Sequence, residues 1–407
     1  MKPSRYKIRA CLRAAGMGLC YLAVLAAVGL GWVWAQLPDT IYLEQGQPLV
    51  FAQLPYVRPQ PAAGAQQAAR SQPTHSENVT LSLGGILPVK TVRAVAADRP
   101  VVQVCGTPFG IKMFADGALV VAFSDIETPS GRANPAKAAG LQLGDWVTRA
   151  GDTPVHENRD LAKALQKAKG QPVTVTYLRD GRPGAVQLNP VQDDAGRWKA
   201  GVWVRDSSAG VGTLTFVEEK RGIFAGLGHP ISDHDTGEMV ALRSGEIVPC
   251  TIDRYEKGRA GRPGELKGRF LTGLAIGTIR QNSPAGVFGT VRKSFSGAYM
   301  PAAFAQEVQP GPAEILTTIE GTQPARFQVE IERVNCRPGP GQHDLLLRVT
   351  DPALLKTTGG IVQGMSGSPI IQNGRLVGAV THVLVNDPTR GYGIFIENML
   401  KTADSAA

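Results

Sequence analysis

Residues 14–35 read AAGMGLCYLAVLAAVGLGWVWA, 22 residues without a charge. As a helix this run is long enough to cross a bilayer, whose hydrocarbon core takes about 20 residues. Lys2, Arg5, Lys7, Arg9 and Arg13 precede it, with no acidic residue among them. That arrangement predicts a cytoplasmic basic tail over 1–13, a transmembrane signal-anchor over 14–35 and export of everything after it. The alternative is a cleaved signal peptide, with Val33 and Ala35 as the small residues of a cleavage site. The apolar run exceeds the roughly 7–15 residues usual in such peptides, which favours an anchor that is kept.

The basic balance of the chain is slight once the tail is set aside. Its net charge of +9 falls to +4 without those five residues. The charge therefore reports membrane orientation and argues against a nucleic-acid partner. Beyond the anchor stand Cys105, Cys250 and Cys336, enough for one disulfide at most, with no metal-ligand spacing. Glycines (48) and prolines (29) are plentiful while aromatic residues make up 6%, a balance that suits turn-rich β structure.

Residues 36–97 are expected to be a linker. LPDTIYLEQGQPLVF has room for one short strand, and PYVRPQPAAGAQQAARSQPTHSENVT, rich in Ala, Gln and Pro, reads as flexible and open to proteolysis. Residues 98–200 read as a small α+β domain. Leu119–Phe123 is a strand, and NPAKAAGLQLGDWV gives a helical turn opened by proline and closed by glycine. A helix follows over 158–169 with Leu161, Ala164 and Leu165 on one face, and then an alternating strand, Val173-Val175-Tyr177. This order, with NPAKAAGLQLGDWVTRAGDTPV, resembles a PDZ domain. The resemblance implies capture of a peptide or protein tail as an added strand, its carboxylate held by backbone N–H groups. Phe109, Gly110 and Ile111, in the loop Thr107–Ile111, are the expected peptide-binding residues. A PDZ scaffold that packs on the next domain without a free ligand is the alternative.

Residues 201–407 read as all β. Val202-Val204, Leu214-Phe216, Phe327-Val329-Ile331 and Leu345-Leu347-Val349 alternate, and Gly or Pro punctuates nearly every run. This length is enough for two small barrels with a cleft between them. Ser366, in GMSGSP, lies on a loop before a hairpin that turns at Asn373-Gly374. Small neighbours let a nucleophile stand clear of the backbone, with two N–H groups beside it as an oxyanion hole, here those of Gly364 and Ser366. A serine needs an imidazole to take its proton. His229, in GLGHPISDHDTG, is the first candidate and His234 the second; His343 and His382 have only generic strand or loop context. Asp351, in RVTDPALL, either orients the imidazole or buttresses the serine loop. A metal-dependent hydrolase using His229, Asp233, His234 and Asp235 is one alternative, without a helical spacing to hold the ligands. A membrane-anchored PDZ adaptor with a dead catalytic domain is another.

GLGHPISDHDTG, RVTDPALLKTTGGIVQGMSGSPIIQNG and GYGIFIENML together resemble the SpoIVB peptidases of endospore-forming bacteria, as does the order membrane segment, linker, PDZ domain, peptidase. The resemblance implies a mainly β fold with a chymotrypsin-like double β-barrel peptidase domain. It implies His229, Asp351 and Ser366 as catalytic residues, acyl transfer and no cofactor. By the same resemblance the chain cleaves itself near its N-terminus. It also cleaves membrane-protein regulators of an intramembrane protease complex, and so triggers processing of a late sporulation sigma factor. The exported domains would face the intermembrane space from the forespore inner membrane, released or not after self-cleavage. Secreted digestive proteases carry an acid before the serine, to pair with a newly cut N-terminus. Met365 stands there in this chain.

Overall fold

The computed structural model describes residues 5–44, 47–60, 76–129, 131–271, 274–292, 295–336 and 343–405. The uncharged stretch lies within α1, Arg5–Gln36, which is apolar over Gly16–Gln36 and, among the described residues, exposed there except at its end. There Val33 and Leu37 are buried among Ile41, Phe51, Leu54, Leu81 and Val92. The partners of that helix end are β1 (Thr40–Leu43), β2 (Val57–Pro59), β3 (Ser76–Leu83) and β4 (Leu87–Ala96), a sheet in the order β1-β4-β3-β2.

This sheet corrects the expected linker over 36–97. Val79 and Leu81 on β3 and Val92 and Ala94 on β4 alternate toward the helix end and bury one face. The Ala- and Gln-rich run obscures that short alternation in the sequence. Of that run, residues 61–75 lie outside the described residues.

The chain continues through β5 (Val101–Val104) and a 16-residue strand, β6 (Pro108–Phe123). Next come β7 (Ile126–Thr128), β8 (Gly131–Ala133), α2 (Pro135–Ala139), β9 (Trp146–Ala150), β10 (Thr153–Pro154) and α3 (Asn158–Ala168). β11 (Val173–Arg179), β12 (Arg182–Leu188), β13 (Val191–Gln192) and β14 (Trp198–Lys199) complete the small domain. Asn134 caps α2 by accepting from Lys137 N, and Gly140 closes it in the left-handed region, as its sequence requires. Leu161, Ala164 and Leu165 of α3 are buried against Val147 and Val175.

β15 (Val202–Glu218), β16 (Ile223–Gly226), β17 (Leu242–Glu256), β18 (Glu265–Phe270), β19 (Gly277–Ser283), β20 (Gly286–Val291) and β21 (Ala298–Pro301) follow. The pairings run β6-β17-β19-β20-β16-β15 and return to β6, so they close a first barrel. β22 (Gly311–Thr317), β23 (Ala325–Val334), β24 (Leu345–Val349), α4 (Pro352–Thr357), β25 (Pro369–Gln372), β26 (Arg375–Leu384), β27 (Asp387–Phe395) and α5 (Ile396–Ser405) complete the chain. A second closed barrel runs β22-β23-β24-β27-β26-β25. Phe216 and Phe288 from the first barrel pack with Leu376 and Ile394 from the second and Met399 of α5 in one cluster, which holds the barrels together. The mainly β, chymotrypsin-like double-barrel expectation describes this arrangement.

The first barrel takes two of its six strands from either side of the small domain. β6 pairs with β15 and β17 from Pro108 to Ala115, then with β9 and β15 from Ala118 onward. The small domain is thus an insertion carried on a β6–β15 ribbon. The boundary expected between 200 and 201 cuts that ribbon, and β5 and the start of β6 belong to the peptidase.

Candidate active site

Two turns, one from each barrel, meet in a cleft of about 730 Å³ whose lining includes His229, Ser366, Thr381, His382 and Arg205. The first turn leaves β16 through Leu227 and Gly228, at φ +67° and +70°. A leucine in the left-handed region is strained and is held there by burial beside Phe109 and Phe224. Two consecutive left-handed residues reverse the chain and deliver His229 to the cleft. A Cβ on Gly228 would stand 3.1 Å from both Thr381 Cγ2 and Ile394 Cγ2, so the turn lies close against the second barrel.

The second turn carries Ser366 between Gly364 and Gly367, at φ +97° and +94°. A Cβ on Gly367 would fall 1.9 Å from Thr213 O and 2.5 Å from Leu227 N, so only glycine fits. Strand β15 clamps this loop. Thr213 N donates to Ser366 O (2.9 Å), Thr213 Oγ1 to Gly364 O (2.9 Å) and Thr215 Oγ1 to Gly367 O (2.7 Å). Thr213 O in turn accepts from Leu227 N at 3.3 Å. One residue of the first barrel therefore ties the serine turn to the histidine turn. Sequence reasoning missed Thr213, since nothing local marks it.

The Ser366 hydroxyl donates to the carbonyl of Thr381 at 2.6 Å. In the same turn the N–H groups of Met365, Gly367 and Ser368 donate to Val362, Val380 and Met365. Among the described residues, those of Gly364 and Ser366 have no acceptor, which leaves two donors beside the serine. Met365, where digestive proteases place an acid, is buried in the core of the second barrel.

His229 Nδ1 lies 2.8 Å from Pro230 O. A carbonyl only accepts, so Nδ1 carries the proton and Nε2 is left as a base. Withdrawal from water holds this imidazole below the ordinary histidine range, opposed by the bond to Pro230. His382 packs against it with the rings tilted, centroids 4.5 Å apart and planes 35° from each other. Desolvation, then the nearness of His229 and His343, pushes His382 down to about 4, although the residue as a whole counts as exposed. The sequence gives His382 no local signal, and the fold brings it beside His229.

Asp351 does not join this pair. It caps α4, accepting from Ala353 N (2.9 Å) and Leu354 N (3.0 Å) through Oδ1 and from Gln328 N (3.3 Å) through Oδ2. These are the bonds of a helix cap on the segment leading to the serine turn, and none of them reaches His229. His234 sits at the rim with its side chain 95% exposed. The carboxylates of the metal alternative, Asp233 and Asp235, are both paired with Arg205.

Phe109, Gly110 and Ile111 correct the expected peptide-binding loop. They lie in β6 inside the first barrel, Phe109 and Ile111 at 1% and 3% exposure, and a Cβ on Gly110 would meet the Phe270 ring at 2.5 Å. The small domain offers another place. Among the described residues, β15 pairs from Val202 to Arg205 with β6 on one side only. Its other side faces α3 across a groove of about 600 Å³ lined by Leu161, Leu165, Trp198, Val202 and Val204. A free strand edge beside a helix is the geometry that strand addition uses.

The family model described as SpoIVB peptidase S55 matches residues 196–400, half of the chain. A PDZ domain model matches residues 126–189. A Staphylococcus aureus (strain N315) protein, named as a zinc metalloprotease, SA1105, is 43% identical over 56 residues. That match covers 14% of this chain, and this chain spans 13% of the relative. Serine protease Do-like HtrA of Lactococcus lactis subsp. lactis (strain IL1403) is 42% identical over 55 residues, 13% of this chain and 14% of the relative. The Rv3671c protease from M. tuberculosis, in its active form, aligns at 14% identity over 49% of this chain and 74% of its own, with a TM-score of 0.28.

Proposed function

Because this chain belongs to the SpoIVB peptidase S55 family and is a PDZ-containing serine peptidase, we propose that Ser366 is its nucleophile and His229 its general base. The observation that carries this is the meeting of the two turns at Thr213, with Nε2 of His229 left unprotonated by the bond of Nδ1 to Pro230. For attack on a peptide carbonyl, the Ser366 proton must leave Thr381 O for His229 Nε2. The oxyanion then falls to the N–H groups of Gly364 and Ser366. His229 returns its proton to the leaving amine, and water, activated by the same imidazole, frees the acyl group. Pro230 O takes the orienting position that an aspartate holds in other triads, and Asp351 holds α4.

The finer reading follows the resemblance. α1 is an anchor that is kept: cleavage after Ala35 would pull Val33 out of a folded core. The exported part faces the intermembrane space from the forespore inner membrane. The peptidase cuts its own N-terminal region and a membrane-protein regulator of an intramembrane protease, which then processes a late sigma factor. The groove between α3 and β15 takes the peptide tail. A fluorophosphonate probe tests the chemistry. It is expected to label the wild-type chain and to leave Ser366→Ala and His229→Ala unlabelled. Labelling of Ser366→Ala at the wild-type rate would contradict it.

A further inference from the structure

The hairpin joining β3 to β4 turns through Gly84 and Gly85, both left-handed at φ +59° and +79°. It ends in Ile86 and Leu87, which are 84% and 48% exposed. Tyr56, another exposed apolar side chain, lies beside this tip, its carbonyl accepting from Gly84 N at 2.8 Å. Exposed apolar residues are ordinary when scattered. These are grouped at one end of the sheet, and the sheet's register says which end.

Lys90 fixes the level at which α1 stops. It donates to Leu37 O (2.6 Å), pairs with Asp39 (2.7 Å) and stands 4.9 Å from the centroid of the Trp34 ring. From there β1 runs parallel to β4, Thr40 opposite Arg93 and Leu43 opposite Ala96. The part of β4 before Lys90 therefore leads from the hairpin tip to the level at which α1 ends. At about 3.3 Å per residue, Ile86 lies roughly 13 Å back from Lys90. That is on the order of nine residues of helix at 1.5 Å rise. The tip thus lies within roughly 13 Å of the level at which α1 ends, where Trp32 and Trp34 are exposed. Tryptophans at the end of a span mark the layer of the lipid headgroups.

We infer that Gly84–Leu87, with Tyr56 beside it, is a second membrane contact, entering the interfacial layer of the bilayer that α1 spans. The inference rests on reading α1 as a kept anchor. One helix leaves an exported domain free to swivel, whereas a second foot sets its tilt. A cavity of about 700 Å³ joins Trp32 and Gln36 of α1 to His343 and Tyr392 of the second barrel. His343 in turn lies 6.3 Å from His382, ring centre to ring centre. The foot therefore holds the catalytic side of the second barrel toward the lipid and favours substrates cut in the segment next to their own membrane span.

The test places an environment-sensitive fluorescent amino acid, one site at a time, at Ile86, Val24 and Leu143 of the full-length chain. The chain is reconstituted in two sets of vesicles of phosphatidylcholine and phosphatidylglycerol, one carrying acyl-chain bromine near the carbonyls to report on Ile86 and one carrying it near the chain ends to report on Val24. Ile86 is expected to be quenched by the lipid and shielded from aqueous iodide, as Val24 is. Leu143, 58% exposed on the small domain, is expected to be reached by iodide alone. If Val24 is quenched by lipid but Ile86 is quenched only by iodide, the foot is wrong and the anchor stands. If Val24 itself escapes lipid quenching, the anchor reading fails and the foot with it. Lipid quenching of Leu143 equal to that of Ile86 also overturns the proposal, since no particular tip would then be selected.

Discussion

Thr213 donates its backbone N–H to the carbonyl of Ser366 at 2.9 Å, across the boundary between two barrels. The nucleophile's turn is therefore held by a strand of the opposite barrel, and its position depends on how the barrels dock. The Thr213 hydroxyl adds a bond to Gly364 O. Thr213→Val keeps the shape and removes that bond. The expected loss of stability is about 0.5–1.5 kcal/mol. kcat is expected to fall by roughly tenfold, a drop of about 1.4 kcal/mol in transition-state stabilisation, with KM little changed. Thermal unfolding and steady-state kinetics on a peptide substrate check both; an unchanged kcat would mean that this bond has no part in placing the oxyanion donors.

Asp351 separates two accounts of the third residue. Asp351→Asn keeps an Oδ1 acceptor for Ala353 and Leu354, and so keeps most of the cap. A triad aspartate changed to Asn costs about 10⁴ in kcat. Here Asp351→Asn is expected to stay within roughly tenfold of wild type, while Asp351→Ala loses about 1 kcal/mol of stability. A fall of several orders in the Asn variant would return Asp351 to the histidine.

The pH dependence has a definite sign. His229 must be neutral to act, and burial holds its pKa below the ordinary histidine value of 6.5. kcat/KM is expected to fall only as pH drops through that lowered value, leaving activity at pH values where an ordinary histidine would be charged. His382 adds a stability effect in the same direction. Its folded pKa of about 4 lies below 6.5, so the unfolded chain binds the extra proton between those values. Stability is therefore present above 6.5 and lost as pH falls toward 4. Denaturation curves of wild type and His382→Gln across that window check it; identical pH slopes would remove His382 from the account.

Much of the site was legible because its chemistry is written in local turns. Gly364, Gly367, Leu227 and Gly228 shape the backbone at Ser366 and His229, and the glycines announce themselves in the sequence. What joins the two turns is not local. Thr213 and Gly364 are 151 residues apart, and no spacing brings His382 to His229. The PDZ boundary failed for a similar reason. Val202–Arg205 reads as the first strand of a new domain, yet it is half of the ribbon that carries the small domain out of the barrel. The length of β6 was the available signal. Phe109, Ile111, Met113 and Ala115 alternate beyond what a short loop and strand would need.

Self-cleavage has an expected consequence for anchoring. A cut between β2 and β3 would separate α1, β1 and β2 from the peptidase in covalent terms. β1 would still pair with β4 and β2 with β3, and Val33, Leu37, Phe51 and Leu54 would still be buried against β3 and β4. The nicked protein is expected to stay with the membrane fraction and to be freed by urea. Spontaneous appearance of the nicked peptidase in the soluble fraction would show that the sheet does not survive the cut.

The central claim is that Ser366 and His229 act as one unit. The direct measurement is kcat/KM on one peptide for wild type, Ser366→Ala, His229→Ala and the double variant, with folding checked by circular dichroism. Each single change is expected to cost several orders of magnitude, and the double change no more than either alone. Substantial activity in a folded Ser366→Ala protein, or losses that multiply in the double variant, would contradict it.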